Sequence, residues 1–308
     1  MKLLKRALLA SFLLILLAPT AAFAATSPSL GVANPYSILS GTYTNTAPGT
    51  TLNGDLGYTT GPAVAATVNG HTHVADATYN QAGIDQGSAL GNLNSQACSF
   101  SFAPGAIDLA TDVTHGPVGV YTPGVYCITG AASIGGGGTI TLDGAGTYIF
   151  RMNGALTTSA NSIATGINGA TACNVWWTPT AATTLGANST FLGTDIDASG
   201  ITIGSTVTWT GRALGFGGTV STAVDTINTV PACATASTGS STPGFGENTG
   251  TTSSTTPGLP NTGIAPQQRN MRVLAVPAAA VLATTALYAV RKKSLKGMLA
   301  LLGLSRLG

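Results

Sequence analysis

The sequence predicts a mainly β protein of the solenoid kind, in which each turn of chain makes about three short strands that pair with the turns on either side. Three observations carry this. Residues 183 to 200 (TTLGANSTFLGTDIDASG) and 201 to 218 (ITIGSTVTWTGRALGFGG) align as 18-residue blocks, and 219 to 230 (TVSTAVDTINTV) begin a third. Large apolar residues coincide in this register: Leu185 over Ile203, Phe191 over Trp209 over Ile227, and Ile196 over Leu214. Glycines recur at three positions (Gly186 and Gly204, Gly193 and Gly211, Gly200 and Gly218), where corners need positive φ without a Cβ clash. Charged residues are 7% of the chain, against about 25% in an ordinary domain. Stacked strands explain that, because like charges placed directly over one another at about 4.8 Å repel. An immunoglobulin-type sandwich, the second choice, predicts strands every 8 to 12 residues or so but no such register.

Upstream, 139 to 150 (TITLDGAGTYIF) and 156 to 166 (LTTSANSIATG) read as more degenerate turns of the same coil. Before them, Val74 to Leu93 breaks the β pattern and predicts one amphipathic helix, with Val74, Ala77, Ala82, Ala89 and Leu93 on its apolar face. Gly83, Gly87 and Gly91 weaken it. The helix is expected to lie along the strands and cover an apolar flank.

Both ends read as addresses. Lys2, Lys5 and Arg6, the apolar run Ala7 to Leu17 and Ala22-Phe23-Ala24 form a secretory signal over residues 1–24, cleaved after Ala24. The folded domain is then 25–233. Residues 234–258 are a Ser-, Thr-, Gly- and Pro-rich stalk that cannot bury enough apolar area to fold. Leu259-Pro260-Asn261-Thr262-Gly263, an apolar run at 273–290 and Arg291-Lys292-Lys293 follow. This order resembles the LPXTG cell-wall sorting signal of Gram-positive surface proteins. The resemblance implies that sortase cuts between Thr262 and Gly263 and joins Thr262 to peptidoglycan. Ser294 to Gly308, with a second apolar patch, extend beyond the usual end of that pattern. The alternative is a plain transmembrane anchor. Either way the domain is expected outside the cell.

The net charge of +2 conceals a split. Ten of the twelve basic residues belong to the terminal signals, which leaves Arg151 and Arg212 against all ten acidic residues between 25 and 262. Such a domain cannot neutralise a run of phosphates, so nucleic acid is excluded as a partner. Cys98, Cys127, Cys173 and Cys233 are an even set in an exported chain and suggest two disulfides. Of three possible pairings, Cys98–Cys127 is favoured because it closes the irregular segment after the helix. Cys173–Cys233 is favoured because it pins the last turn.

The order of these pieces resembles the bacterial and fungal ice-binding protein family. The residues that carry the resemblance begin with Pro35-Tyr36-Ser37-Ile38-Leu39-Ser40-Gly41, Leu52-Asn53-Gly54-Asp55-Leu56-Gly57, and Val68-Asn69-Gly70 with His73. They continue with Thr122-Pro123-Gly124-Val125-Tyr126, Thr147-Tyr148-Ile149-Phe150-Arg151, and Ile167-Asn168-Gly169-Ala170. Ala172-Cys173-Asn174-Val175-Trp176-Trp177 and Gly211-Arg212-Ala213-Leu214 complete the set, so the match runs from about residue 35 to 231. The resemblance implies a right-handed, triangular β-solenoid (β-helix) with one long α-helix alongside. It implies a capping segment at about 94–130 and N-terminal strands packed into the later coil. It also implies that one flat face binds ice near motifs of the form Thr-(Ala/Gly)-X-(Thr/Asn).

The matching columns are Ala187-Asn188-Ser189-Thr190, Ser205-Thr206-Val207-Thr208 and Ala223-Val224-Asp225-Thr226. The last Thr is kept in all three, while the first position departs from the motif. The expected ice-contacting residues are therefore Thr190, Thr208 and Thr226, with Asn188, Thr206, Ser205, Ala187 and Ala223. Independently of the family, threonines one turn apart should stack in a flat array that β-branching keeps preformed. An uncharged surface of methyls and hydroxyls can bind water that is itself ordered. The expected partner is an ice crystal surface, bound by a monomer that is not an enzyme and uses no cofactor or metal. The other functional class considered is a cell-surface adhesin that holds glycan or another cell on the same scaffold.

Weaker signals carry less. His71-x-His73 lacks a third metal ligand and suits a structural role. Asp195-x-Asp197 resembles the acidic calcium clusters of solenoid polysaccharide lyases, but Arg151 and Arg212 are the only bases for such chemistry. Arg212 is expected to satisfy a corner. Asp55 reads as a turn residue bonded to its own backbone. Trp176-Trp177 could form a sugar platform, yet adjacent strand residues face opposite ways, so one at least belongs to the core.

Overall fold

A computed structural model describes residues 24–230. The expected signal sequence 1–24 (apart from Ala24), the stalk, the LPNTG signal with its apolar run, and Cys233 lie outside the described residues. Among those described, every strand pairing is parallel, which excludes the sandwich. The protein is mainly β with one long helix, and its strands stack in three columns.

The first column, which faces the helix, runs Phe100–Ser101, Gly124–Ile128, Tyr148–Met152, Val175–Pro179, the end of Thr190–Ile196 and the middle of Thr208–Thr222. The second runs Val120–Tyr121, Thr139–Asp143, Ile163–Ile167, the starts of Thr190–Ile196 and Thr208–Thr222, and Thr226–Asn228. The third runs Ile107–Asp108, Ala132–Ile134, Leu156–Thr158, Thr183–Leu185, Ile201–Ile203 and the end of Thr208–Thr222. The N-terminal strands extend this stack from its far end. Tyr36–Asn45 pairs with Thr208–Thr222 from Ile38↔Ala213 to Asn45↔Thr222, and Asp55–Tyr58 and Thr72–Val74 follow it. Thr51–Asn53 joins Thr226–Asn228 in the same way.

Parallel register dictates the core. Inward residues of successive strands meet their counterparts, so Tyr126, Phe150 and Trp177 stack in register in the first column and Phe191 and Trp209 in the second; Trp177 and Phe191 meet across the columns, so the rings form one continuous aromatic run, closest between Phe150 and Trp177 at 4.3 Å. The expected pairs Leu185↔Ile203, Phe191↔Trp209↔Ile227 and Ile196↔Leu214 are all in register. Trp177 is in the interior and Trp176 packs under the helix, both buried, so neither forms the sugar platform considered above.

The glycines work in two ways. Gly193 and Gly211 are Cα partners at φ 108° and 150°, where the strands bend from the second column into the first. A Cβ on Gly211 would lie 1.8 Å from the Gly193 carbonyl oxygen. Gly186 and Gly204 do not have positive φ; they are crowded by neighbouring backbone, at 2.3 Å and 2.7 Å from a notional Cβ. The left-handed residues of those corners are Asn188 (φ 57°) and Thr206 (φ 62°).

The helix α1 spans Ala77–Ser95, later than expected at its start. Val74 belongs to the strand Thr72–Val74 and is 53% exposed, Ala77 is exposed, and Ala75 turns the chain at φ 48°. Asp76 then caps α1, its Oδ1 accepting from Tyr79 N at 2.7 Å. The buried face is Tyr79, Ala82, Gly83, Gln86, Ala89 and Leu93, the spacing of one helical stripe. It packs on Leu39, Val125, Ile149, Trp176, Ile196 and Leu214. Gly83 is tolerated in mid-helix because any Cβ there would strike the Phe216 ring at 2.4 Å.

Two basic residues fasten this arrangement. Arg212 is 1% exposed; its guanidinium donates to Asn34 O at 2.7 Å, to Asn34 Oδ1 at 2.9 Å and to Val230 O, which ties both ends of the domain to one strand. Arg151 donates to Asn94 O at 2.6 Å and Gln96 O at 3.0 Å at the C-terminus of α1. Its other nitrogen lies beside both sulfurs of the Cys98–Cys127 disulfide, which forms as expected. The second expected bridge, Cys173–Cys233, includes a residue outside the described range.

One interior cluster runs against the apolar pattern. Asp195 replaces an apolar residue between Trp177 and Ala213 and is completely buried. Both its oxygens, Asp197 Oδ2 and Thr183 Oγ1 are buried without a well-formed hydrogen bond, although the Thr183 hydroxyl lies near enough to both carboxyls to offset part of the rise in their pKa values. Asp195 and Asp197 are thus interior and not a surface calcium cluster. Desolvation first, and the Asp197 charge second, push the Asp195 carboxyl well above the usual range, and burial raises Asp197 as well.

Two predictions follow from these interiors. Gly211→Ala should lower unfolding stability by at least about 2 kcal/mol in a denaturant titration, because the bend has no room for a methyl; an unchanged midpoint would contradict the bend. An acid whose folded pKa is raised contributes stability that is lost as pH rises through that pKa. The thermal midpoint should therefore fall as pH rises above the ordinary carboxylate range, about pH 4, and Asp195→Asn should flatten the fall. An identical slope in the variant would show that Asp195 is not its source.

Candidate functional site

The second column presents two files of outward side chains. In the first, Thr139 pairs with Ile163, Ile163 with Thr190, Thr190 with Thr208, Thr208 with Thr226, Thr226 with Thr51 and Thr51 with Thr67. Thr139, Thr190, Thr208 and Thr67 are exposed, and Thr226 and Thr51 are half-buried. The expected stack of Thr190, Thr208 and Thr226 is therefore in register, and sequence reasoning missed Thr51, Thr67 and Thr139 on the same line. In the second file, two residues along each strand, Thr141 pairs with Thr165, and Leu192 with Thr210, Asn228 and Asn53 in turn. Asn228, Asn53 and Asn69 form an amide ladder, with 2.7 Å between Asn53 and each neighbour.

Strand spacing of about 4.8 Å and a two-residue repeat of about 6.7 Å make this a grid of side chains on rigid backbone. β-branching fixes most of its χ1 angles, so little order has to be created on contact. Neither file contains a charged side chain. Asp143 stands at the edge of the face, opposite Ile167, with its Oδ1 accepting from Asn168 Nδ2 at 2.6 Å. Ile163, 41% exposed, is the one purely apolar member of the threonine file.

The four-residue columns resolve by position. Thr190, Thr208 and Thr226 start strands of the grid. Asn188, Thr206 and Ser205 are exposed at the corner before it, and Thr206 Oγ1 donates to Asn188 Oδ1 across two turns. Ala187 and Ala223 are only partly exposed. Ser189, Val207 and Asp225 point inside, which frees that position from the motif. Asp225 is held by Val207 N at 2.9 Å and Ala223 N at 2.8 Å, and burial raises its pKa.

The histidines have structural partners. His73 Nδ1 lies 2.8 Å from Asp76 Oδ2 and so braces the helix cap, while His71 is largely exposed. Asp55 accepts from His71 N at 2.7 Å, so it bonds the next turn of chain and not its own backbone. Among the described residues no group of three or more His, Cys, Asp or Glu side chains could hold a metal ion, and no helix is long and apolar enough to cross a membrane.

This chain is similar to the ice-binding protein of Nostoc sp. (strain HG1), 32% identical over 228 residues that cover 70% of this chain and 78% of that one. Among solved structures, the ice-binding protein of the Antarctic ascomycete Antarctomyces psychrotrophicus superposes with a TM-score of 0.58 at 28% identity. That match covers 67% of this chain and 99% of the other. An ice-binding protein from an Antarctic biological consortium gives 0.58 at 27%, over 68% and 95%. The Ice-binding-like family model matches residues 38–228, so this chain belongs to the ice-binding-like family.

Proposed function

We propose that this protein binds ice, without catalysis, through the threonine-bearing grid of its second column. The observation that carries this reading is the in-register file from Thr139 to Thr67, uncharged and fixed by parallel pairing. Methyl groups disfavour disordered hydration while hydroxyls anchor it, so water over such a grid is held in a regular array that a crystal can continue. Thr190, Thr208 and Thr226 lie at the centre, with Thr51, Thr67 and Thr139 completing the line and Asn188, Thr206 and Ser205 at its edge. Adsorption there would limit recrystallisation or tether the cell to ice. The adhesin alternative has less support, since both members of the tryptophan pair are buried.

The three columns are read as the sides of a right-handed triangular solenoid, with the segment around 94–130 as its cap. The protein acts as a monomer outside the cell. The signal sequence exports it, and the LPNTG segment presents it to sortase for attachment to peptidoglycan, with the apolar run 273–290 holding it in the membrane beforehand.

Thr208→Tyr places a bulky ring at the centre of the grid. Ice crystals grown below the melting point should lose their shaping and recrystallisation inhibition, while stability changes by less than about 0.5 kcal/mol, as for other exposed sites. Full activity in this variant would place the ice contact on another face.

A further inference from the structure

Arg151 presents a cation to a disulfide. Cys127 and Arg151 are Cα partners on adjacent strands of the first column. One guanidinium nitrogen of Arg151 is taken up by Asn94 O and Gln96 O. The other lies 3.1 Å from Cys98 Sγ and 3.0 Å from Cys127 Sγ. Ion pairs among the described residues all join a histidine to an aspartate, so no carboxylate there neutralises Arg151. Arg212, the other basic residue between 25 and 262, is buried. The one cation that this acidic domain turns outward thus acts on two sulfurs.

The two sulfurs differ in access. Cys98 is exposed, while Cys127 is half-buried and packed against the apolar cluster under α1. A cleft of about 350 Å³ opens beside the bridge, and its lining includes Ala25, Thr26, Ser95, Gln96, Ala97 and Val125. Ala97 precedes Cys98, and Val125 shares a strand and an apolar cluster with Cys127. The bridge is not the only tie on this segment. Ser99 N donates to Val125 O at 2.8 Å, Val125 N to Ser99 Oγ at 3.1 Å and Phe102 N to Cys127 O at 3.0 Å. Phe100 and Ser101 also pair with Tyr126 and Cys127. The sulfur–sulfur bond can therefore open while the strands around it stay paired.

A cation beside a disulfide attracts an attacking thiolate and stabilises the thiolate that leaves, and exposed disulfides are the ones that exchange. We propose that the Cys98–Cys127 bridge is a thiol-exchange site, at which a small anionic thiol becomes covalently attached to Cys98. The incoming thiolate forms a bond to Cys98 Sγ, the Cys98–Cys127 bond breaks, and its electron pair leaves on Cys127 Sγ beside Arg151. The incoming sulfur is oxidised to the disulfide level, Cys127 is reduced, and the proton of the incoming thiol ends on Cys127 or in water. Arg151 is the positioning residue, and the cleft holds the rest of the thiol. This site lies on the first column and does not depend on the threonine grid.

The test treats the folded, full-length chain at low ionic strength with three thiols of similar size and different charge: mercaptoethanesulfonate (anionic), mercaptoethanol (neutral) and cysteamine (cationic). Acid quenching, maleimide labelling and peptide mapping then locate the adduct. The anionic thiol should be found on Cys98, with the maleimide on Cys127. Arg151→Gln should lower the ratio of anionic to cationic exchange rates at least about threefold, whereas Arg151→Lys, which keeps the charge, should retain most of it. The ratio separates charge from structure, because a merely loosened helix end would speed all three thiols alike. An equal ratio in Arg151→Gln and the unmodified chain, an adduct on Cys127, or exchange only under denaturing conditions would overturn the proposal.

Discussion

Parallel register is the constraint on which the rest of this protein depends. Each side chain sits over its counterpart about 4.8 Å away, so whatever one turn presents, the next repeats. Inside, that rule stacks Tyr126, Phe150 and Trp177 in one column and Phe191 and Trp209 in the next. Outside, it penalises charge and favours short groups that tolerate a like neighbour, which is what Thr, Ser and Asn are. The scarcity of charged residues and the hydroxyl files are thus two results of one geometry.

A stack of this kind has open ends, and here the chain closes one of them with its own beginning. Tyr36–Asn45 adds to Thr208–Thr222, so the last turns of the coil are covered by the first strands in sequence. Arg212 locks the junction: with its charge surrounded by Asn34 and Val230 oxygens, burial lowers its pKa to about 10 and leaves it protonated at neutral pH. The pairing matters for function, because Thr51 and Thr67 reach the threonine file only through it. N-terminal closure and the length of the candidate face are therefore coupled.

How far the sequence could be read depended on how regular each turn was. The last turns, with an 18-residue repeat and aligned apolar residues, exposed the column of Thr190, Thr208 and Thr226 directly. Thr139 was hidden because the turns before Thr183 carry longer corners, such as 168 to 174, that spoil the period while leaving Ile163 opposite Thr190. Thr51 and Thr67 were hidden because strand addition from the N-terminus leaves no spacing signal. Glycine recurrence marked the corners but not their cause, since at Gly186 and Gly204 backbone crowding decides and the left-handed turn is taken by Asn188 and Thr206. The helix starts after Val74 because that residue's apolar side chain belongs to the preceding strand and Asp76 supplies the cap. The Asp195-x-Asp197 spacing carries no signal that Asp195 stands in the interior.

The central claim is that the threonine grid holds water in the protein's own spacing. A high-resolution crystal structure of the domain with that face free of lattice neighbours tests it most directly. The account predicts a row of ordered waters between the two files, about one per strand and repeating at about 4.8 Å, bonded to Thr190, Thr208 and Thr226. Waters scattered there with no common spacing, or as sparse as over the exposed side of α1, would contradict it.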